Sequence, residues 1–227
     1  QLLTMDNLPE RGKLSDEQLE IIPDAGILHQ DGRILAVGNF EQLRRENPDA
    51  KIEFLEGDFV CLPGMIDVHT HICWAGSRAN DYAMRLAGKT YLEIAEAGGG
   101  IWSTVMKTRE ASMEVLAALT VERAEKLYQQ GITTLEVKSG YGLSVDDEIK
   151  ILKAIQLANQ KTKTELITTC LAAHMKPKDF PGNEREYLQY IIENLLTEVK
   201  KQNLANRVDI FVEKGAFSIS DAKYYLS

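Results

Sequence analysis

Two rhythms of apolar residues divide the chain. Between residues 24 and 60 the apolar positions come in short runs punctuated by Gly and Asp. In GILHQDGRILAVG the Asp31-Gly32 pair separates two such runs, which predicts a β-hairpin, because a type I′ turn needs two residues tolerant of positive φ. KIEFLEGDFVCL predicts two further short strands around Gly57-Asp58, and the polar stretch RGKLSDEQLE upstream predicts a surface loop or a short helix. This part of the chain reads as β structure, an N-terminal β-sandwich-like domain portion spanning residues 1–62.

After Pro63-Gly64 strand patterns alternate with helix patterns. MIDVH, ITTLEVK, ELITTCLAA and RVDIFVE are near-continuously apolar or β-branched, as parallel strands covered on both faces are. Between them, ASMEVLAALTVERAEKLYQQ ends at Gly131, SVDDEIKILKAIQLANQ opens with Ser144 as N-cap and Asp147 three residues on, and NEREYLQYIIENLLTEVKKQN fills the third gap. Four strands alternating with helices predict a parallel α/β architecture, doubly wound or barrel. SISDAKYYLS opens a fourth helix at the chain's end, and a four-stranded parallel sheet would leave a raw apolar edge that closure into eight strands removes. The expected fold is therefore α/β, with residues 63–227 forming a partial (β/α)8 TIM-type barrel of about the first four βα units. The chain opens on Gln1 instead of Met, and is expected to be a piece of a longer protein.

Composition narrows the function. The 227 residues are 44% hydrophobic and 26% charged, ordinary for a folded domain, and the formal net charge of −8 argues against nucleic acid or an anionic membrane as partner. No apolar run reaches the roughly 20 residues that span a bilayer and no leader pattern opens the chain, so a cytoplasmic location is expected. Cys61, Cys73 and Cys170 lack paired spacing and sit in apolar sequence, which predicts buried free thiols.

Of the four histidines, His69 and His71 lie one residue apart in LPGMIDVHTHICWAGSR. Alternate residues of a strand face the same side, so both imidazoles are expected to enter one space at the strand's C-terminal end, where barrel enzymes keep their chemistry. Two neutral imidazoles at this spacing suit a first-row divalent ion, zinc or iron, although an HxH pair also satisfies core hydrogen bonds in many proteins. Asp67 falls on the same face, as an acceptor behind the histidines or as a buried structural group. His29, in the hairpin, is expected to be structural. AGGGIWSTV lacks the GK[ST] of a phosphate loop and is expected to be a mobile loop near the substrate.

LPGMIDVHTH resembles the first barrel strand of the amidohydrolase superfamily. HTHICWAGSRANDYAMRLAGKTYLEIAEAGGGIWSTVMKTREAS, TTLEVKSGYGL and LAAHMKP narrow the resemblance to the imidazolonepropionase family. That resemblance implies a metal-dependent hydrolase that opens the ring amide of 4-imidazolone-5-propanoate to N-formimidoyl-L-glutamate in histidine degradation, with one divalent metal ion, zinc or iron. Carried over by position, it implies His69 and His71 as metal ligands and Arg78, Tyr141 and His174 as substrate-binding residues, with Arg78 forking onto the propionate carboxylate. From the residues alone, Arg78 would make a surface ion pair, Tyr141 would cap apolar surface, and His174 would be a third metal ligand. Lys138 could suggest the carbamylated lysine of two-metal amidohydrolases, but the resemblance implies a single metal and makes Lys138 a residue behind the ligands or a structural one, with Glu136 facing the same way to neutralise it. The family's third metal histidine, acid/base glutamate and metal-binding aspartate are expected beyond Ser227, so the chain alone is expected to be inactive. A homodimer acting on a small molecule is the expected assembly. A cytosine or guanine deaminase and a non-enzymatic half-barrel binding fragment are the competing readings.

Overall fold

In a computed structural model the chain is described over residues 1–227, the side chains of Tyr91 and Ala95 excepted. It divides into two compact units, Gln1–Gly64 and Met65–Ser227. In the first, β1 (Leu2–Leu3) pairs antiparallel with β2 (Ile21–Ile22), and β3 (Ala25–Gln30) with β4 (Arg33–Asn39). Asp31 and Gly32 adopt φ of 51° and 75°, the two left-handed residues that a type I′ turn demands.

Two expectations for this unit are corrected. Residues 40–46 are not β: Asn39 accepts hydrogen bonds from the Glu41 and Gln42 N–H groups and caps α1 (Phe40–Glu46), a local device that ends the strand. The two strands expected around Gly57-Asp58 do not form among the described residues, where only Cys61 of this stretch finds a ladder, bridging Leu2. With no neighbouring strand to cover them, Phe54 and Leu55 stay 70% and 75% exposed. The polar stretch before β2 carries one 3-10 turn, Asp16–Gln18, capped by Ser15.

The second unit opens with β5 (Met65–Thr70), followed by α2 (Ala79–Leu86), α3 (Tyr91–Glu96), α4 (Gly100–Glu110) and α5 (Met113–Tyr128). Then β6 (Ile132–Lys138), α6 (Val145–Asn159), β7 (Glu165–Ala173), α7 (Glu184–Ile191), a π-helical turn (Ile192–Leu196), α8 (Thr197–Lys201), β8 (Arg207–Ile210) and α9 (Ile219–Tyr225) complete it. The four strands lie in the order β5-β6-β7-β8, all parallel, in a half-barrel sheet. The run AGGGIWSTV, expected as a mobile loop, is helical from Gly100 onward, because Thr104, Val105 and Thr108 on one face of α4 are buried. RVDIFVE yields a strand over only its first four residues.

The apolar faces of the helices decide the core. Leu116, Ala117 and Ala124 of α5 meet Leu135 and Val137 of β6 and Ile151, Ala154 and Ile155 of α6. Leu152, Cys170, Ala172, Tyr187, Leu188 and Ile191 form a second cluster on the β7 side, where the buried Tyr187 hydroxyl donates to the Ala172 carbonyl at 3.0 Å. The outer strands are less protected: on β5, Met65, Ile66 and Val68 are exposed, as is Val208 on β8.

Candidate active site

The C-terminal ends of the four strands bring chemistry together. His69 near the end of β5 and His71 just past it have ring centroids 5.4 Å apart. The His71 ring lies 5.2 Å from that of His174, which directly follows β7, and 5.7 Å from that of Tyr141. Tyr141 and His174 are 5.5 Å apart, and Phe211 beyond β8 meets His174 edge-on at 5.8 Å. Beside them, Lys138 at the end of β6 is buried and donates to Glu136 Oε1 at 2.7 Å and to Asp209 Oδ2 of β8 at 2.8 Å. Asp67 accepts the N–H of His69 at 3.2 Å, a backbone contact within β5.

The imidazoles differ in environment. Burial, then the neighbouring charges of His174 and His69, lower the pKa of His71 to about 4, so it is neutral at pH 7, the form that ligates a metal. Among the described residues its buried Nδ1 finds no hydrogen-bond partner, which leaves the cost of burying that polar atom unmet by them. Those two properties fit His71, with the more exposed His69 beside it, as two members of a metal-ligand set. Among the described residues no group of three or more His, Cys, Asp or Glu side chains is arranged to hold an ion. His174 is also held below the ordinary imidazole value, by burial against the opposing Gly140 hydrogen bond and the Asp209 charge.

Tyr141 reaches the cluster on the loop between β6 and α6. Gly140 has φ of 106°, and a Cβ there would sit 2.7 Å from the Leu171 carbonyl oxygen, so the residue must be glycine. Burial raises the Tyr141 pKa, while the charge of Arg78 acts in the opposite sense. Arg109 of α4 grips the loop from outside, donating from Nε to the Gly142 carbonyl at 2.6 Å while its Nη1 pairs with Asp179 at 2.5 Å.

Arg78 sits at the start of α2, its side chain 43% exposed, with Nε donating to Asp81 at 2.5 Å. The surface ion pair expected from the residues alone is thus present. Asp81 also accepts the N–H of Gly100 at 2.8 Å, and a Cβ on Gly99 would lie 2.4 Å from its Oδ1. The glycine run therefore lets the backbone close against the carboxylate that holds Arg78. Arg123 of α5 donates from Nη1 to the carbonyls of Ile72 and Trp74 at 2.6 and 2.7 Å and lies over the Trp74 ring at 3.8 Å, fixing the segment after His71.

Asp81 and Arg123 escape a reading of motifs alone, and so does Glu148 of α6, whose carboxylate accepts the N–H groups of Gly140, Gly142 and Leu143 in the loop that carries Tyr141. Glu148 carries a visible signal, since it falls on the same helical stripe as Ile151, Leu152 and Ile155, where a carboxylate must have buried partners. The cysteines separate: Cys73 and Cys170 are buried free thiols, whereas Cys61, expected to be buried, is exposed because the stretch around it lacks a covering strand. Burial pushes the thiols of Cys73 and Cys170 up to about 11 and about 12, which keeps them inert. His29 is exposed on the hairpin, away from this cluster in sequence and in unit. Among the described residues no helix is long and apolar enough to cross a membrane.

Comparison with known proteins gives a consistent direction. A family model described as "Imidazolonepropionase-like composite domain, bacteria" matches residues 25–50. The chain is 42% identical over 212 residues to the imidazolonepropionase of Streptococcus gordonii, covering 93% of this chain and 50% of that protein. It is 39% identical over 230 residues to that of Symbiobacterium thermophilum (100% and 54%), and 48% identical over 162 residues to that of Vibrio campbellii (71% and 39%). The chain spans about half the length of the curated relatives it matches. Among solved structures it resembles E. coli guanine deaminase with a TM-score of 0.51 at 14% identity, covering 85% of this chain and 39% of that one. That likeness speaks for the fold alone, an α/β arrangement with a parallel sheet.

Proposed function

We propose that this chain, which resembles imidazolonepropionases over nearly its whole length, is part of an enzyme that hydrolyses the ring amide of 4-imidazolone-5-propanoate to N-formimidoyl-L-glutamate. The observation that carries the reading is the convergence of His69, His71, Tyr141 and His174, from three separate segments, with adjacent rings 5.2–5.7 Å apart at the ends of parallel strands. Residues 63–227 would be about the first four βα units of an eight-stranded barrel, and residues 1–62 a portion of an N-terminal β domain.

In this reading His69 and His71 hold one divalent ion, zinc or iron, together with ligands from later strands. Such an ion, once bound, supplies Lewis acidity and brings the pKa of water down to about 7, which a resistant lactam carbonyl requires. The chain's own residues do the rest. Arg78 would fork onto the substrate's propionate, a role supported by the effect of its charge on Tyr141. Tyr141, its hydroxyl kept protonated by burial, can donate a hydrogen bond to a substrate oxygen at neutral pH. His174, with its Nδ1–H given to Gly140, can accept one from a ring N–H. Together they would fix the ring so that water attacks from one face.

The test is steady-state kinetics on the full-length protein that contains this chain. Arg78→Gln is expected to raise KM for 4-imidazolone-5-propanoate by ten- to a hundredfold, about 1.4–2.7 kcal/mol of binding, with a smaller change in kcat. An unchanged KM would remove Arg78 from the substrate site.

A further inference from the structure

Two residues of segment 139–143, in the loop that carries Tyr141, adopt left-handed backbone conformations. Gly140 has φ of 106° and Leu143 φ of 54°, and the left-handed region costs a non-glycine residue about 1–2 kcal/mol. The loop is buried at Ser139, Gly140, Gly142 and Leu143, so its N–H groups cannot turn to water. They turn instead to one side chain. Glu148 of α6 is fully buried, its Oε1 accepting from the N–H groups of Gly142 at 2.7 Å and Leu143 at 2.8 Å, and its Oε2 from that of Gly140 at 3.1 Å. Next to Gly140, the Ser139 Oγ accepts from the Leu171 N–H at 3.0 Å. Three backbone donors take up most of a carboxylate's capacity, which is about four lone-pair sites.

The far side of the same loop faces the site. The Gly140 carbonyl lies 2.9 Å from His174 Nδ1, and a carbonyl only accepts, so Nδ1 carries the hydrogen and Nε2 of the neutral ring keeps a lone pair. We infer that Glu148 is a positioning residue: by fixing the backbone of 139–143 it holds Tyr141 against His71 and His174 and sets the Nδ1–H tautomer of His174, so that this ring selects a ligand that donates a hydrogen bond. The tautomer stands on the loop geometry alone; its consequence for the substrate rests on the function proposed above.

Glu148→Gln tests this, because the amide keeps one acceptor oxygen but sets an NH2 against a backbone N–H that also donates. In the full-length protein with 15N-labelled histidines, His174 identified by its loss in His174→Gln, the unaltered protein should show Nδ1–H and Glu148→Gln a mixture of the two tautomers. KM for 4-imidazolone-5-propanoate should rise at least tenfold in the same variant. An unaltered His174 tautomer in a folded Glu148→Gln variant overturns the inference. Should the variant fail to fold, amide exchange in the unaltered protein decides: Gly140, Gly142 and Leu143 are expected to exchange as slowly as the amides of β6, and exchange at exposed-loop rates overturns it. If the unaltered protein shows the Nδ1–H tautomer but no turnover, the substrate reading fails while the positioning role survives.

Discussion

Asp81 shows how much one side chain can organise. Burial disfavours its ionised form, but the Gly100 N–H and the Arg78 guanidinium outweigh this and hold its carboxyl below the usual 3.8. A carboxyl depressed in the folded state is protonated first in the unfolded chain, so the stabilisation is present above about 3.8 and is lost as pH falls through the lower folded value. Asp81→Asn is therefore expected to cost about 1 kcal/mol at pH 7 by urea denaturation. The gap between the two proteins should close as the titration is repeated below pH 3.8; a gap independent of pH would mean that the contribution is steric. This residue was not legible in the sequence, since nothing local says that an aspartate in α2 will receive the N–H of Gly100, 19 positions on. His69 and His71 were legible as neighbours, because strand alternation alone puts them on one side. Their meeting with His174 was expected from the residues, as a third metal ligand at the end of its strand, whereas only the resemblance of SGYGL and LAAH to a known family pointed to Tyr141 and to a substrate role for His174.

Elements with a strong apolar period came through, and those governed by local chemistry did not. The strands β6 and β7 and the helices α5 and α6 follow their patterns because each contributes buried apolar residues to the core, and β5 follows its pattern by pairing with β6 although its apolar side chains stay exposed. α1 was hidden by its strand-like surroundings and is set by the Asn39 cap, while the first turn of α4 is tied down by Asp81. At this scale Gly140→Ala is expected to destabilise by about 2 kcal/mol, from left-handed strain and the clash of its Cβ with the Leu171 carbonyl. A thermal midpoint within a degree of the parent would contradict that. The end of β6 offers a second test. Lys138 lies between Glu136 and Asp209, and Lys138→Met would leave the largely buried Glu136 carboxylate facing that of Asp209, whose side chain is 41% exposed. A loss of about 3 kcal/mol in chemical denaturation is expected, shrinking as acid protonates one of them; a neutral or stabilising substitution would show that the ion pair is dispensable.

For the molecule as a whole, the open sheet sets the behaviour. Among the described residues β5 pairs only with β6 and β8 only with β7, and the exposed Met65, Ile66, Val68 and Val208 lie on these outer strands. Unpaired strand edges with apolar side chains drive association, so the 227-residue chain is expected to elute as oligomers in size-exclusion chromatography with light scattering, while the full-length protein gives a discrete species. A monodisperse monomer of the chain alone would show that these edges are better protected than they look. The central claim, that the clustered imidazoles and Tyr141 belong to a metal-dependent hydrolase of 4-imidazolone-5-propanoate, is tested most directly by ultraviolet-monitored consumption of that compound. The assay compares the full-length protein before and after a chelator and after zinc or iron is restored, with the 227-residue chain as control. Substrate loss that the chelator stops and the metal restores, with an inert control, is the predicted result. A folded, metal-loaded full-length protein that leaves the compound untouched would contradict the account.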